Sequence, residues 1–356
     1  MIQFFAETGI ARTVVFEGPW PEFLRVNDYI HDGDGDPREL MKTDYYFFWE
    51  YEEMIDLIEW ARAFNSTRAA DEQIEFLGFD VLTADTRDAA DLVIAYLGSV
   101  DSAARSAAVN SYQCVPGSIE TTTCGQNVTN VRAGIEQNRE AYEASSSTRE
   151  YLRALQSARV VESTNQYLRT PGGERDPWRD TVLAEYAGWF AEEWTGEERL
   201  VLWAHNEHIG TLPAAGQWKS LGQHLQDRYG ERYFSIGTCM LSGSLARSNG
   251  QEVTVAEMQP PIETNYELQF AKGGFRYFLI PLFMPDVPTW LTGPANLRFG
   301  TASYDPKPNF LDFTNPAYSL PNKFDAIIFI KETTPCTPID AAGTNGRRRL
   351  LHHFPQ

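Results

Sequence analysis

Residues 200 to 210 read LVLWAHNEHIG. Four apolar residues, Leu200 to Trp203, run directly into His205, Asn206, Glu207 and His208. That is the pattern of a buried strand ending where polar, titratable side chains begin. In open parallel sheets, ligands bind in the crevice outside the carboxyl ends of the strands. The stretch therefore predicts a sheet with chemistry at its rim, and it concentrates there two of the chain's six histidines.

The same kind of run recurs along the chain. RTVVFE (12 to 17), IEFLGFD (74 to 80), RLVLWAH (199 to 205), YFSIGT (233 to 238), FRYFLIPLF (275 to 283) and FDAIIFIKET (324 to 333) are short and rich in β-branched and aromatic residues, as buried strands are. Between them lie helical patterns. Residues 39 to 64 place Phe47, Tyr51, Met54, Ile55, Ile58, Ala61 and Arg62 at helical spacing. Residues 178 to 194 and 218 to 230 are two further amphipathic segments, the second closed by Gly230. Alternating strands and helices predict an α/β fold, a mostly parallel sheet flanked by helices. Residues 85 to 170 break the rhythm with polar, alanine-rich helical sequence and read as a helical insertion. One α/β domain over 1 to 343 is expected, followed by a basic tail, 344 to 356.

Composition narrows the partners. The 356 residues carry 30 Lys plus Arg against 49 Asp plus Glu, a net charge of −19. Such a surface repels nucleic acid and anionic membranes. No apolar run approaches the ~20 residues of a membrane span. MIQFFAETG has no basic leader; it reads as the last turns of a helix, with Phe4 and Phe5 packed inward and Gly9 as the terminating glycine. Because domains rarely begin in mid-helix, sequence upstream of Met1 is expected. Cys114, Cys124, Cys239 and Cys336 form no C-x-x-C pair. Cys114 and Cys124 share one loop-like stretch, where a disulfide and two separate thiols are both open readings. N-S-T at Asn65 and N-V-T at Asn127 match the glycosylation acceptor pattern. The cytoplasm is the expected compartment, with secretion left open by these cysteines and acceptor sites.

Strand ends supply the candidate site. Glu17, Asp80 and His205 close three of the predicted strands and Glu332 lies near the end of the last. There is no G-x-S-x-G elbow, no phosphate-binding P-loop and no G-x-G-x-x-G after a strand, which sets aside serine hydrolysis, nucleotide and dinucleotide chemistry. His205 and His208 with Glu17 could hold a metal, but H-x-x-H outside an H-E-x-x-H helix is a loose signature. Water activation by acid–base groups, with no cofactor, is the leading chemistry. The bland alternative is that both imidazoles bond to backbone carbonyls near a turn.

Taken together, several stretches resemble the erythromycin esterase family, whose members include succinoglycan-biosynthesis-like proteins. They are RTVVFEGPWPEFLRVNDYIHDGDGDP (12 to 37), FFWEYEEMIDLIEWARAFN (47 to 65), FLGFD (76 to 80), RDTVLAE (179 to 185), LWAHNEHIG (202 to 210) and FDAIIFIKETTPCTP (324 to 338). The resemblance implies hydrolysis of an ester, in resistance members the lactone of a macrolide. It implies Glu17, His205 and His208 as catalytic residues. Glu53, Asp80, Trp49, Arg179 and Asn206 stand around them as supporting or substrate-contacting groups, Arg179 as the salt-bridge partner of an acid. The family's general base is a histidine in an N-terminal G-E-x-x-H-G segment that nothing here matches. A homologue that binds a small ligand without turning it over is the alternative from another class.

Overall fold

The computed structural model describes residues 1–42, 49–81, 86–196, 199–212, 218–248, 253–284, 286–293, 295–300, 312–314 and 319–339. The chain divides into two compact units, residues 1–46 with 55–203 and residues 47–54 with 204–354. The expected tail, 344 to 356, lies outside the described residues.

The first unit holds α1 (Ile2–Glu7), β1 (Thr13–Pro19), α2 (Trp20–Asp32) and α3 (Pro37–Leu40). It also holds most of α4 (Glu52–Asn65), then β2 (Glu75–Asp80), α5 (Thr86–Val100), α6 (Ser102–Ser111), α7 (Thr122–Gln137), α8 (Arg139–Ser145), α9 (Thr148–Arg169), α10 (Gly172–Trp189) and β3 (Leu200–Trp203). Its sheet is fully parallel in the order β2-β1-β3. Val14, Val15 and Phe16 are buried in the central strand between Phe76 and Leu77 on one side and β3 on the other. The fold is thus α/β, as the alternation predicts, and α5 to α9 are the expected helical insertion. Cys114 and Cys124 form a disulfide across the link between α6 and α7, which settles the reading left open above.

β1 and β2 do not keep step to their ends. Phe16 pairs with Gly78, yet the next pair is Pro19 with Asp80. Three residues of β1 therefore span two of β2, a bulge at Glu17 and Gly18 that re-aims the Glu17 side chain. Gly78 makes the bulge possible: a Cβ there would lie 2.5 Å from the Pro19 carbonyl oxygen and 2.6 Å from that of Gly18.

The second unit contains α11 (Asn206–Ile209), α12 (Leu221–Tyr229), β4 (Ile236–Ser248), β5 (Val253–Glu257), α13 (Tyr266–Phe270), β6 (Tyr277–Pro281), α14 (Thr289–Thr292), β7 (Asn296–Arg298), β8 (Asp312–Thr314), α15 (Leu320–Lys323) and β9 (Ala326–Thr333). Its main sheet is mixed, β5-β4-β9-β6, with β4 and β9 parallel and the outer pairs antiparallel. β7 and β8 form a separate antiparallel pair. Tyr266, Phe270, Leu297, Phe299, Leu320, Ile327 and Phe329 build its core.

Two expectations need correction. In α1, Ile2 and Ala6 are buried while Phe4 is exposed, because residues four apart share a face and Phe4 sits on the other side. The helix expected over 39 to 64 begins only at Glu52. Tyr51 instead bridges to Pro338, and the Glu52 N–H donates to the Thr337 carbonyl at 2.8 Å. A strand-like contact takes the backbone groups that a longer helix would use, and Phe47 lies outside the described residues. Within α4 the expected face holds: Met54, Ile55, Ile58 and Ala61 are buried.

Gly78→Ala is expected to destabilise the chain by ~1–3 kcal/mol, the usual cost of overpacking a site that cannot relax. Urea denaturation of the wild type and the variant checks this. An unchanged midpoint would remove the close approach of β2 to the bulge from the account.

Candidate active site

Two groups of side chains stand out, one in each unit. In the first, Glu17 projects from the β1 bulge and Asp80 ends β2, and both are buried. Two buried carboxylates on neighbouring strands would repel each other, and each would be costly to ionise. Arg179, on α10, meets both: Nη2 donates to Glu17 Oε1 at 2.9 Å, and Nε donates to Asp80 Oδ1 at 3.0 Å, with a second close contact from Nη2 to Asp80 Oδ2. The planar fork suits this task, since one guanidinium can give parallel hydrogen bonds to one carboxylate and still reach another. Arg179 is thus the partner of an acid, as expected, and of two acids rather than one.

The second group forms where the chain leaves β3. His205 caps α11: its Nδ1 accepts the Glu207 N–H at 3.3 Å. Its Nε2 lies 3.0 Å from the Gly300 carbonyl oxygen. A carbonyl can only accept, so Nε2 carries the proton and Nδ1 does not. The ring is held as the neutral Nε2–H tautomer, with the Phe299 ring edge-on at 5.2 Å. The backbone contacts raised as the bland alternative are therefore present for His205. The His208 ring lies 6.4 Å from it, centroid to centroid.

Asn206 is buried between them and reaches β4. Its Nδ2 donates to the Thr238 carbonyl at 2.6 Å and its Oδ1 accepts the Thr238 N–H at 3.1 Å. That amide-to-backbone pair fixes the α11 turn to β4. Glu53 binds the Thr337 N–H at 3.0 Å and the Thr337 hydroxyl at 3.2 Å, tying the start of α4 to the segment after β9. Trp49 is half-buried in a short 3-10 turn. Glu332 is exposed one residue from the end of β9, opposite Ser242. Among the described residues no group of three or more His, Cys, Asp or Glu side chains is placed to hold a metal ion.

Sequence reasoning passed over two features. Glu207, inside the HNEH run, forms an ion pair with Lys323 at 2.6 Å, and Lys323 is fully buried. Burial holds the Lys323 ammonium below the usual lysine range, with Glu207 pulling the other way. Nothing in LPNKF marks that lysine as internal. The other is Glu267, buried in α13 beside Cys239 and Arg298. A carboxylate inside the aromatic stretch YELQF was the available signal.

Comparison with known proteins adds the following. The family model described as erythromycin esterase matches residues 7–333. A crystal structure of a Bacillus cereus protein is similar with a TM-score of 0.81 at 22% identity, over 95% of this chain and 84% of that one. A succinoglycan biosynthesis protein gives 0.79 at 21%, over 94% and 83%. A histidine variant of the erythromycin esterase EreC, in its open conformation, gives 0.68 at 15%, over 98% and 87%. At these identities the structures show a common fold.

Asn206→Ala leaves the part-buried N–H and C=O of Thr238, an exposed residue of β4, without their side-chain partner. It is expected to cost ~1–3 kcal/mol, the scale of an orphaned polar group. Chemical denaturation measures this; a loss below ~0.5 kcal/mol, the scale of a neutral surface change, would show that the turn is held by other contacts.

Proposed function

The chain belongs to the erythromycin esterase family, and from that premise we propose that it hydrolyses a small-molecule carboxylic ester, macrolide lactones included, by attack of water. At family level this is an esterase-like hydrolase. The finer reading assigns Glu17 to orienting the attacking water and, as a carboxylate, accepting its proton as the oxygen adds to the ester carbonyl. His208 donates a hydrogen bond to the carbonyl oxygen as it gains negative charge, the step at which preorganised donors contribute most. His205 supports that donor: with both ring nitrogens engaged by main chain, it sets the turn from which His208 projects.

The observation that carries the reading is the Arg179 fork on Glu17 and Asp80 beside the in-register pairing of β1 with β3. Phe16 lies opposite Trp203. Glu17 follows the first by one residue and His205 follows the second by two. A buried carboxylate re-aimed by a strand bulge and held by a single guanidinium supports a role in water activation.

The engagement of His205 favours one further reading, a homologue that holds an ester ligand without turning it over. The cytoplasm is the compartment expected from sequence; the Cys114–Cys124 bridge is an observation on the side of export, because disulfides persist in oxidising surroundings. The acceptor pattern at Asn65 does not add to this. That side chain is buried and bonded to the backbone of Ile30 and Ile74.

Hydrolysis of erythromycin and of simple aryl esters, followed with purified wild type, Glu17→Gln and His208→Asn, tests the proposal. The wild type turns over at least one of these esters. Each variant loses ~10²–10³-fold in kcat/KM; His208→Asn keeps its melting temperature, while Glu17→Gln, which weakens one arm of the Arg179 fork, melts lower. Saturable binding with no turnover would select the second reading. Turnover unaffected in both variants would remove this site from the chemistry.

A further inference from the structure

The buried acid Glu267 has no part in the roles assigned above, yet it touches the segment that holds His205. Its Oε1 accepts the backbone N–H of Arg298 at 2.8 Å. The Arg298 guanidinium in turn donates to the Leu241 carbonyl at 2.8 Å and to the Gln259 carbonyl at 2.5 Å. The next two residues are the ones that meet the imidazole: the Phe299 ring stacks edge-on against it and the Gly300 carbonyl receives its Nε2–H. The path from Glu267 to the histidine is thus one side-chain contact and two residues of backbone. The Glu267 carboxyl is buried, with the Cys239 thiol as its side-chain hydrogen-bonding neighbour.

We propose that Glu267 is the positioning residue for His205, holding through the Arg298 N–H the Arg298–Gly300 segment on which the imidazole rests. The inference rests on the reading that His205 belongs to the active centre. The surroundings of Glu267 explain why it stays neutral. α13 packs on β4, β7 and β9. β4 brings the Cys239 thiol, β7 brings Arg298, β9 brings the apolar Ile327 and Phe329, and its own helix brings Tyr266. Arg298 is the cation among these, and its guanidinium donates to two carbonyls. Burial pushes Glu267 up to about 8, while the Arg298 N–H and charge oppose the shift. The Cys239 thiol is raised as well, by burial first and then by Glu267.

The sign of the consequence follows. A carboxyl whose folded value exceeds its ordinary 4.5 keeps its proton in the folded chain after the unfolded chain has lost it. Stability therefore falls as pH rises from about 4.5 and levels off above about 8. Above that point an anion sits in the core, and the Arg298–Gly300 segment must shift or admit water.

The test uses the full chain labelled with ¹⁵N-histidine, with His205 assigned by loss of its signals in His205→Gln. In the wild type near pH 6.5, His205 shows the Nε2–H tautomer pattern. Between pH 7 and 9 that pattern is expected to change with a midpoint of about 8. In Glu267→Gln, whose amide oxygen still accepts the Arg298 N–H but cannot ionise, the step disappears. In Glu267→Leu the tautomer pattern is lost throughout, and kcat for the ester falls about tenfold with little change in KM. The same step in wild type and in Glu267→Gln, or an intact pattern in Glu267→Leu, would overturn the proposal. If Glu267→Leu does not fold, the comparison of wild type with Glu267→Gln decides alone. The spectra do not depend on turnover, so absence of hydrolysis would count against the hydrolase reading and leave this one to the NMR result.

Discussion

One guanidinium lies between two buried carboxylates. Without Arg179, the ends of β1 and β2 would present Glu17 and Asp80 to each other in a low-dielectric interior, where like charges interact by several kcal/mol. With it, both acids have a cation within hydrogen-bonding distance. Three elements meet at that point. The β1 bulge turns Glu17, the end of β2 supplies Asp80, and α10 delivers the arginine after the whole helical insertion has been traversed. The contact joins residues 99 and 162 positions apart in sequence, so it pins the insertion's exit to the sheet as well as holding the acids.

The second unit solves a similar problem with backbone. His205 is fixed by a cap on one nitrogen and a carbonyl on the other, and Asn206 by two bonds to Thr238. Neither arrangement uses a charge. The ion pair in this region is Glu207 with the buried Lys323, which fastens the α11 turn to α15. These contacts hold the α11 turn rigidly, with the His205 ring fixed between the Glu207 N–H and the Gly300 carbonyl. The same rigidity makes His205 a poor base in this state, since Nδ1 must give up the Glu207 N–H before it can take a proton.

Much of this was legible in the sequence, and the parts that were not have physical reasons. Strands β1, β2, β3, β4, β6 and β9 announce themselves as apolar, β-branched and aromatic runs, though only β1 and β2 are buried on both faces and β6 leaves Tyr277 and Leu279 exposed. The rim residues Glu17, Asp80 and His205 follow from where those runs stop. The bulge left no trace, because one inserted residue in a continuous apolar strand does not disturb its composition. Helix α4 looked longer than it is, since Tyr51 satisfies helical spacing equally well while its backbone pairs with Pro338. Arg179 could be read as a partner of one acid; that it serves two depends on a contact across the insertion that no local pattern records. Lys323 and Glu267 carry charge-bearing chemistry into the core, and their partners are set by tertiary packing alone.

The Arg179 clamp is open to direct measurement by a double-mutant cycle of Arg179→Met and Asp80→Asn in chemical denaturation. The account predicts that Arg179→Met alone costs ~3–5 kcal/mol, because it strands buried charge. Adding Asp80→Asn should recover part of that loss, a coupling of ~2 kcal/mol or more. Costs that simply add, within ~0.5 kcal/mol, would mean that the arginine and the aspartate do not act on each other, and the clamp would have to be abandoned.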